Sequence, residues 1–188
     1  ENDAFGDAYE YLMGMYASDA GKSGGEYYTP QEVSELLVKI AMDGRDADKI
    51  RNVYDPACGS GSLLLKFKRE LGKNSKGLRF VGQEINLTTY NLCRMNMILH
   101  GVPVDEFSIA HGDTLTDPKH RNGKNPKFVE PFGAIVSNPP YSMKWKGEDD
   151  PTLKHDDRYP PASGLAPKSK ADLAVTRHMR ASLAEAGT

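Results

Sequence analysis

The segment Asp55-Pro56-Ala57-Cys58-Gly59-Ser60-Gly61-Ser62 decides the fold of this chain. It lies between a short apolar run at Asn52–Asp55 and a helical pattern at Ser62–Leu71. In a turn from a strand into a helix, glycines let the backbone approach a ligand closely, and the start of the helix offers free N–H groups. The segment therefore predicts either a ligand-binding turn after a parallel strand or a tight turn without a ligand.

The spacing of the glycines narrows the choice of ligand. A dinucleotide-binding turn has the pattern G-x-G-x-x-G, and Leu64 occupies the last position of that pattern here. This departure argues against a nicotinamide dinucleotide. It leaves S-adenosylmethionine (AdoMet), or no ligand at all, as the remaining interpretations.

Strand-like and helix-like patterns alternate along the rest of the chain. Strands are predicted at residues 52–55, 79–84, 107–110 and 132–137, and helices at 62–71, 87–100 and 171–186. This alternation indicates parallel βαβ units, so we predict an α/β fold with a doubly wound, Rossmann-like sheet and helices on both faces. Four strands make a small sheet, and Gly187-Thr188 resembles a helix end that leads into a further strand. We therefore expect the core to be truncated at its C-terminal side.

Two helices are predicted ahead of this core. Residues 4–17 carry apolar side chains at helical spacing, and a second helix begins after Thr29, with Thr29 as its cap and Pro30 in its first position. The stripe predicted to face the core comprises Val33, Leu36, Leu37 and Ile40. We expect residues 1–188 to form one catalytic domain fragment, with leading helices in 1–44 and the βαβ core in 45–188.

Two acidic residues follow the second and third predicted strands. Glu84 ends the second strand, where a carboxylate can accept hydrogen bonds from both ribose hydroxyls of a nucleoside that lies across the sheet. Asp113 follows the third strand and is placed to face an adenine ring. A solvated glutamate and an ordinary turn aspartate are the alternatives. The glycine turn and Glu84 together favour a bound nucleoside.

The segment Asn138-Pro139-Pro140-Tyr141 follows the fourth predicted strand. Its prolines fix φ and lack N–H groups, so the Asn138 amide and the neighbouring carbonyls face outward in a rigid arrangement. Both can accept hydrogen bonds from a planar amino group, and this directs the nitrogen lone pair at a methyl donor. Tyr141 can stack on a base that is flipped out of a duplex. The motif predicts methyl transfer to an amino group.

These motifs resemble those of AdoMet-dependent methyltransferases that act on amino groups. The resemblance rests on D-P-A-C-G-S-G, Glu84 and N-P-P-Y. Residues 6–12 (GDAYEYL), 25–30 (GEYYTP) and 171–174 (ADLA) are similar to the modification (M) subunit of type I restriction–modification systems. The resemblance implies a site-specific DNA methyltransferase that transfers the methyl group of AdoMet to N6 of adenine.

The resemblance also implies roles for individual residues. In this family the Y-T-P segment packs against the methionine part of AdoMet, the glycine turn holds the same end, and the acidic residue binds the ribose. The predicted catalytic residues are Asn138, Pro139, Pro140 and Tyr141. The predicted cofactor-binding residues are Glu26, Tyr27, Tyr28, Thr29, Pro30, Gln31, Asp55, Gly59, Ser60, Gly61, Glu84 and Asp113.

The charge of the chain bears on its partners. A formal net charge of −2 fits poorly with a protein that grips duplex DNA alone, because such binding rests on Lys and Arg that neutralise phosphates. In the M-subunit family a separate specificity (S) subunit recognises the sequence, which accounts for the missing basic surface. The expected partners are DNA with a flipped adenine, the S subunit and, in the complete system, the restriction (R) subunit.

Other functions remain open from the sequence. The acceptor could be the glutamine amide of a release factor or N2 of guanine in ribosomal RNA, although the Y-T-P helix favours DNA adenine. The chain could be a stand-alone adenine methyltransferase, or a fragment that binds AdoMet without turnover. Residues 144–170 predict a flexible active-site loop, in which Trp145 either touches DNA or lies on an ordinary surface.

Composition limits the cellular setting. No apolar run approaches the roughly 20 residues that cross a bilayer, and no signal peptide is visible at the beginning of the sequence. Cys58, Cys93 and the histidines show no metal-binding spacing. We therefore expect a cytoplasmic protein that binds neither membrane nor metal.

Overall fold

The computed structural model of the chain describes residues 8, 11, 12, 15, 29–124, 129–140, 145–159 and 164–188. Residues 8, 11, 12 and 15 are helical, in agreement with the helix predicted at 4–17, and the rest of that helix lies outside the described residues. Among the described residues, no helix is long and apolar enough to cross a membrane.

In the described residues, the centre of the fold is a parallel sheet of four strands. In chain order these are β1 (Asn52–Asp55), β2 (Arg79–Glu84), β3 (Phe107–His111) and β4 (Ala134–Ile135). Their order in the sheet is β3-β2-β1-β4. The predicted bounds of β1 and β2 are confirmed, β3 is one residue longer than predicted, and β4 is shorter. β4 is short because only Ala134 and Ile135 pair in register with β1.

Helices cover both faces of this sheet. They are α1 (Gln31–Met42), α2 (Ser62–Leu71), α3 (Leu87–Leu99) and α4 (Ala171–Ser182). On one face, Val53 and Phe80 pack with buried side chains of α2 and α3. On the other face, Tyr54 and Val81 pack with Met179 of α4. The prediction of a doubly wound α/β core is confirmed.

Of the four residues predicted to face the core on α1, only Leu37 packs against it. Val33, Leu36 and Ile40 are 44%, 59% and 63% exposed, whereas Ser34 and Val38 are buried. Apolar residues occur on two adjacent faces of this helix, so helical periodicity alone does not decide which face packs against α2. The predicted cap is not observed: Pro30 precedes the first helical residue, and no side chain in the described part of the sequence caps the helix.

The end of α4 differs from the prediction for a clear reason. The helix ends at Ser182 because the following backbone pairs with the edge of β4 instead. Phe132 N donates to Ser182 O over 2.8 Å, and Ile135 N donates to Thr188 O over 2.7 Å. Lys170 precedes the first residue of α4, and among the described residues no side chain caps this end of the helix.

Candidate functional site

The glycine turn after β1 is held by the side chain of Asp55 and by residues of α3. Asp55 is buried, and its Oδ1 accepts a hydrogen bond from Ala57 N over 3.0 Å. Gly61 has φ +85°, and a Cβ placed there would lie 2.8 Å from Cys93 Sγ of α3. Asn96 of α3 also holds the turn, because its Nδ2 donates to Ser60 O over 3.1 Å. Close contact between the turn and α3 thus requires glycine at position 61.

The carboxyl group of Asp55 is buried and has an unusual pKa. Burial raises its pKa to about 7, although the N–H of Ala57 acts in the opposite direction. Near neutral pH the side chain therefore exists in both protonation states. Its place beneath the turn makes it a support for the backbone of the predicted cofactor loop.

Glu84 joins two neighbouring segments at the end of β2. Its Oε2 accepts from Gly59 N over 3.0 Å, and its Oε1 accepts from Asn86 N over 2.8 Å. Burial raises the pKa of this carboxyl, while the backbone N–H groups of Asn86 and Gly59 act against the rise. Each carboxylate oxygen has a further lone pair, so Glu84 can still accept from two hydroxyl groups of a ligand.

The loop after β3 forms the next part of the site. Asp113 accepts from Leu115 N and Thr116 Oγ1, each over 2.9 Å, so its carboxylate is held in one orientation. Gln83, fully buried in β2, binds this loop through Nε2 to Asp117 O over 2.9 Å and through Oε1 to Lys119 N over 3.0 Å. The loop is therefore anchored to the strand that carries Glu84.

A cleft of about 170 Å³ opens at the carboxyl ends of the strands. Its polar lining includes Glu84 and Asp113, and its apolar lining includes Leu115, Pro140 and Val175. Carboxylates accept hydrogen bonds from hydroxyl and amino groups, and apolar walls accommodate the faces of a planar base. This combination fits the adenosine part of AdoMet, and it lies where doubly wound sheets bind nucleotides.

Asn138 lies beyond β4, at the same end of the sheet. Its side chain is exposed, and Nδ2 donates a long hydrogen bond of 3.4 Å to Thr29 Oγ1. The contact joins the predicted Y-T-P segment to the predicted catalytic motif, which are far apart in sequence. Pro140 of that motif lines the cleft, so the motif and the cleft are adjacent.

The structure describes only part of the predicted residue set. Glu26, Tyr27, Tyr28 and Tyr141 lie outside the described residues. Pro30 and Gln31 lie at the beginning of α1, next to Thr29. Among the described residues, no group of His, Cys, Asp and Glu side chains could hold a metal ion.

Two features of the site were not predicted from the sequence. Trp145 is 7% exposed, and its Nε1 donates to Pro167 O over 2.9 Å, so it belongs to the core and not to a DNA-contacting surface. Arg158 and His178 are also buried and bonded to each other. Neither has a recognisable local signal, because an arginine in a charged, proline-containing segment normally lies in solvent.

Comparison with known proteins identifies the family of this arrangement. The family model of N-6 DNA methylases matches residues 1–188. The methylase subunit of the type I restriction enzyme MpnII from Mycoplasma pneumoniae is 52% identical over 99% of this chain and 34% of its own length. The crystal structure of a type I restriction–modification methyltransferase subunit from Streptococcus thermophilus has a TM-score of 0.83 and 43% identity, over 98% of this chain and 37% of that one.

A weaker match concerns one of the alternative acceptors. A release factor glutamine methyltransferase from Dictyoglomus turgidum is 26% identical over 62% of this chain. The chain spans about a third of the length of the two more similar relatives. From the fold, the site and the match along the whole chain, we conclude that the protein belongs to the N-6 DNA methylase family.

Proposed function

We propose that this chain is the catalytic part of a type I modification subunit, which transfers the methyl group of AdoMet to N6 of adenine in DNA. The observation that carries the proposal is the placement of Asn138-Pro139-Pro140 beside a cleft with Glu84 and Asp113 in its wall. The names of the relatives that match nearly the whole chain support the same activity.

AdoMet, when bound, supplies a methyl group on an electrophilic sulfonium. Glu84 binds the ribose hydroxyls, and Asp113 accepts a hydrogen bond from the adenine amino group of the cofactor. Leu115, Pro140 and Val175 exclude water from the cofactor base. These residues hold the cofactor in place, and most of the rate enhancement then comes from positioning the two reactants.

Asn138 acts on the target base. Its Nδ2 points at Thr29, so the acceptor atom of the amide is Oδ1 at the other end. Oδ1 and the backbone carbonyl of Pro139 accept hydrogen bonds from the N6 amino group of a flipped adenine. These bonds leave the nitrogen lone pair free to attack the methyl group, and the extra proton leaves to solvent after transfer. DNA and the S subunit are the proposed partners, with the R subunit joining for restriction.

A methylation assay on the intact protein with its S subunit tests this proposal. Labelled AdoMet is incubated with unmodified DNA, and the digested nucleosides are analysed by mass spectrometry. N6-methyladenine is the expected product. A parallel reaction contains a release factor in place of DNA, because the weaker relative is a release factor glutamine methyltransferase. Label in the release factor but not in DNA would instead establish the glutamine amide as the acceptor.

A further inference from the structure

Arg158 is buried next to the segment that forms one wall of the cleft. The side chain of Arg158 is 3% exposed. Its Nη1 donates to Thr114 O over 2.7 Å, and its Nη2 donates to Leu115 O over 2.7 Å. Both carbonyls belong to residues that line the cleft next to Asp113. Arg158 itself does not line the cleft, so it can influence a ligand only through this wall.

The remaining donors of Arg158 reach two other elements. Nε and Nη2 bind Asp156 over 2.9 and 2.7 Å, and Nη1 donates to Nδ1 of His178 over 3.0 Å. With the two carbonyls, these contacts use all five N–H groups of the guanidinium. Burial raises the pKa of Asp156, but the hydrogen bonds and charge of Arg158 outweigh burial and hold the pKa below its usual value. The guanidinium is therefore fixed in both position and orientation.

His178 extends the connection to the opposite wall. It lies on α4, one turn after Val175, which lines the cleft. Burial and the charge of Arg158 lower the pKa of His178 to about 3, so the ring is neutral and Nδ1 accepts from the guanidinium. Its Nε2 then donates to Tyr54 Oη over 3.0 Å. Arg158 thus ties the loop at 113–115 to α4.

We propose that Arg158 is a positioning residue that fixes the spacing of the two cleft walls and thereby the selectivity of the site for the amino group of the cofactor's adenine. This inference rests on the proposed function, in which the cleft holds the adenosine part of AdoMet. Because Leu115 N donates to Asp113 Oδ1, a shift of the Thr114 and Leu115 carbonyls also moves the carboxylate that faces the base.

Base selectivity is the property that tests the role of Arg158. The dissociation constants of S-adenosylhomocysteine and S-inosylhomocysteine are measured by calorimetry with the intact protein. The inosine analogue carries an oxygen in place of the amino group. Loss of a hydrogen bond to a charged partner predicts a preference for the adenosine form of roughly tenfold to a hundredfold. In Arg158→Lys a single ammonium cannot reach both carbonyls, so this preference should fall to within about threefold.

Ser182→Ala is the matched control. It removes the hydroxyl that donates to His178 O over 2.8 Å, and leaves every bond of the guanidinium in place. We expect its base preference to equal that of the unaltered protein. Circular dichroism establishes whether each variant is folded, and if Arg158→Lys does not fold, Asp156→Asn serves in its place with a smaller loss of preference.

The outcomes separate this inference from the proposed function. If the unaltered protein binds neither ligand, the proposed cofactor and the role of Arg158 both fall. If it binds with the expected preference and the Arg158→Lys variant keeps that preference, only the positioning role is overturned. An equal loss in the Ser182→Ala variant would assign the effect to general loosening of the fold, and would overturn the positioning role as well.

Discussion

The backbone nitrogen of Gly59 donates a hydrogen bond to Oε2 of Glu84 over 3.0 Å, and this bond connects the turn after β1 to the end of β2. The same carboxylate also accepts from Asn86 N. The Glu84 side chain therefore holds the turn after β1, binds the backbone at the beginning of the segment between β2 and α3, and lines the cleft.

Replacing the Glu84 carboxylate should weaken cofactor binding. In Glu84→Gln an NH2 group replaces one carboxylate oxygen. This donor then faces a backbone N–H, and it cannot accept a hydrogen bond from a ribose hydroxyl. Bonds to charged groups are worth about 1.5–3 kcal/mol, so the dissociation constant of AdoMet should rise roughly tenfold to a hundredfold. Calorimetric titration measures it. Glu106→Gln is the control, because the Glu106 side chain also accepts a hydrogen bond from a glycine N–H. That glycine is Gly77, which precedes β2. Equal affinity in both variants would refute the ribose role.

Removing the Asn138 amide should abolish chemistry and spare cofactor binding. Asn138→Ala loses the acceptor that orients the target amino group, and such losses reduce kcat by roughly a hundredfold to a thousandfold. The side chain is exposed and does not line the cleft, so the affinity for AdoMet should change by no more than about twofold. Single-turnover methylation and calorimetry on the same preparation check the two halves. Loss of AdoMet binding would place Asn138 in the cofactor site instead.

The contact between Thr29 and Asn138 should have a smaller effect on the same step. Thr29→Val removes the hydroxyl that receives Asn138 Nδ2, while the shape of the side chain is kept. A hydrogen bond of this kind is worth about 0.5–1.5 kcal/mol, so kcat should fall roughly twofold to tenfold. Thr88→Val, an exposed threonine on α3, is the control with no expected change. A rate equal to that of the unaltered protein would show that the long contact does not orient the amide.

Gly61 should be more sensitive to a methyl group than Gly44. Both have positive φ, +85° and +67°, so alanine at either position costs about 1–2 kcal/mol of backbone strain. At Gly44 no atom of the described residues lies within 4 Å of the added Cβ, whereas at Gly61 it meets Cys93 Sγ at 2.8 Å and Met97 Cε at 3.0 Å. We expect Gly61→Ala to lower the free energy of unfolding by about 1–3 kcal/mol more than Gly44→Ala. Urea denaturation gives both values, and equal losses would contradict the crowding.

The buried His178 should make part of the stability depend on pH. Its folded pKa of about 3 lies below the usual value, so between pH 3 and 6.5 the unfolded chain binds the proton and the folded chain does not. Its contribution is present above pH 6.5 and is lost as pH falls, by up to about 1.4 kcal/mol per pH unit. Asp55 acts in the opposite direction, since its raised pKa makes its contribution disappear as pH rises towards 7.

The two opposing slopes are separated by comparing variants. The difference in unfolding free energy between the unaltered protein and His178→Gln should rise with pH from 4 to 6.5. The same difference for Asp55→Asn should fall with pH from 4 to 7. Urea denaturation at several pH values measures both. A difference that stays flat with pH would show that the group concerned titrates in the folded protein at its ordinary pKa, and a slope of the opposite sign would show that its pKa is shifted in the other direction.

The sequence predicts the elements that local patterns determine. β1, α2 and β2 have their predicted bounds because each is an apolar or amphipathic run that ends at a glycine turn or at a charged residue. The face of α1 could not be predicted, because Val38 competes with Leu36 and Ile40 of the predicted stripe for the core. Periodicity describes a single helix, and packing against α2 makes the choice.

The structural features that the sequence did not predict depend on contacts between side chains that lie far apart along the chain. Glu84, Asp113 and Asn138 could be placed from the sequence, since each follows a strand and parallel strands end at one edge of the sheet. The contacts of Arg158 could not, because they join three segments whose spacing only the folded chain defines. The burial of Trp145 was missed for the same reason.

The alternation of side chains along β2 has a consequence for the length of this strand. Gln83 anchors the loop that carries Asp113, while the next residue, Glu84, anchors the turn that carries Gly59. Successive residues of a strand point to opposite sides, so an insertion of one residue within β2 would exchange the two directions. The amide would then face the glycine turn, and the carboxylate would enter the core. Both walls of the cleft thus depend on a single register, and β2 can change in sequence more readily than in length.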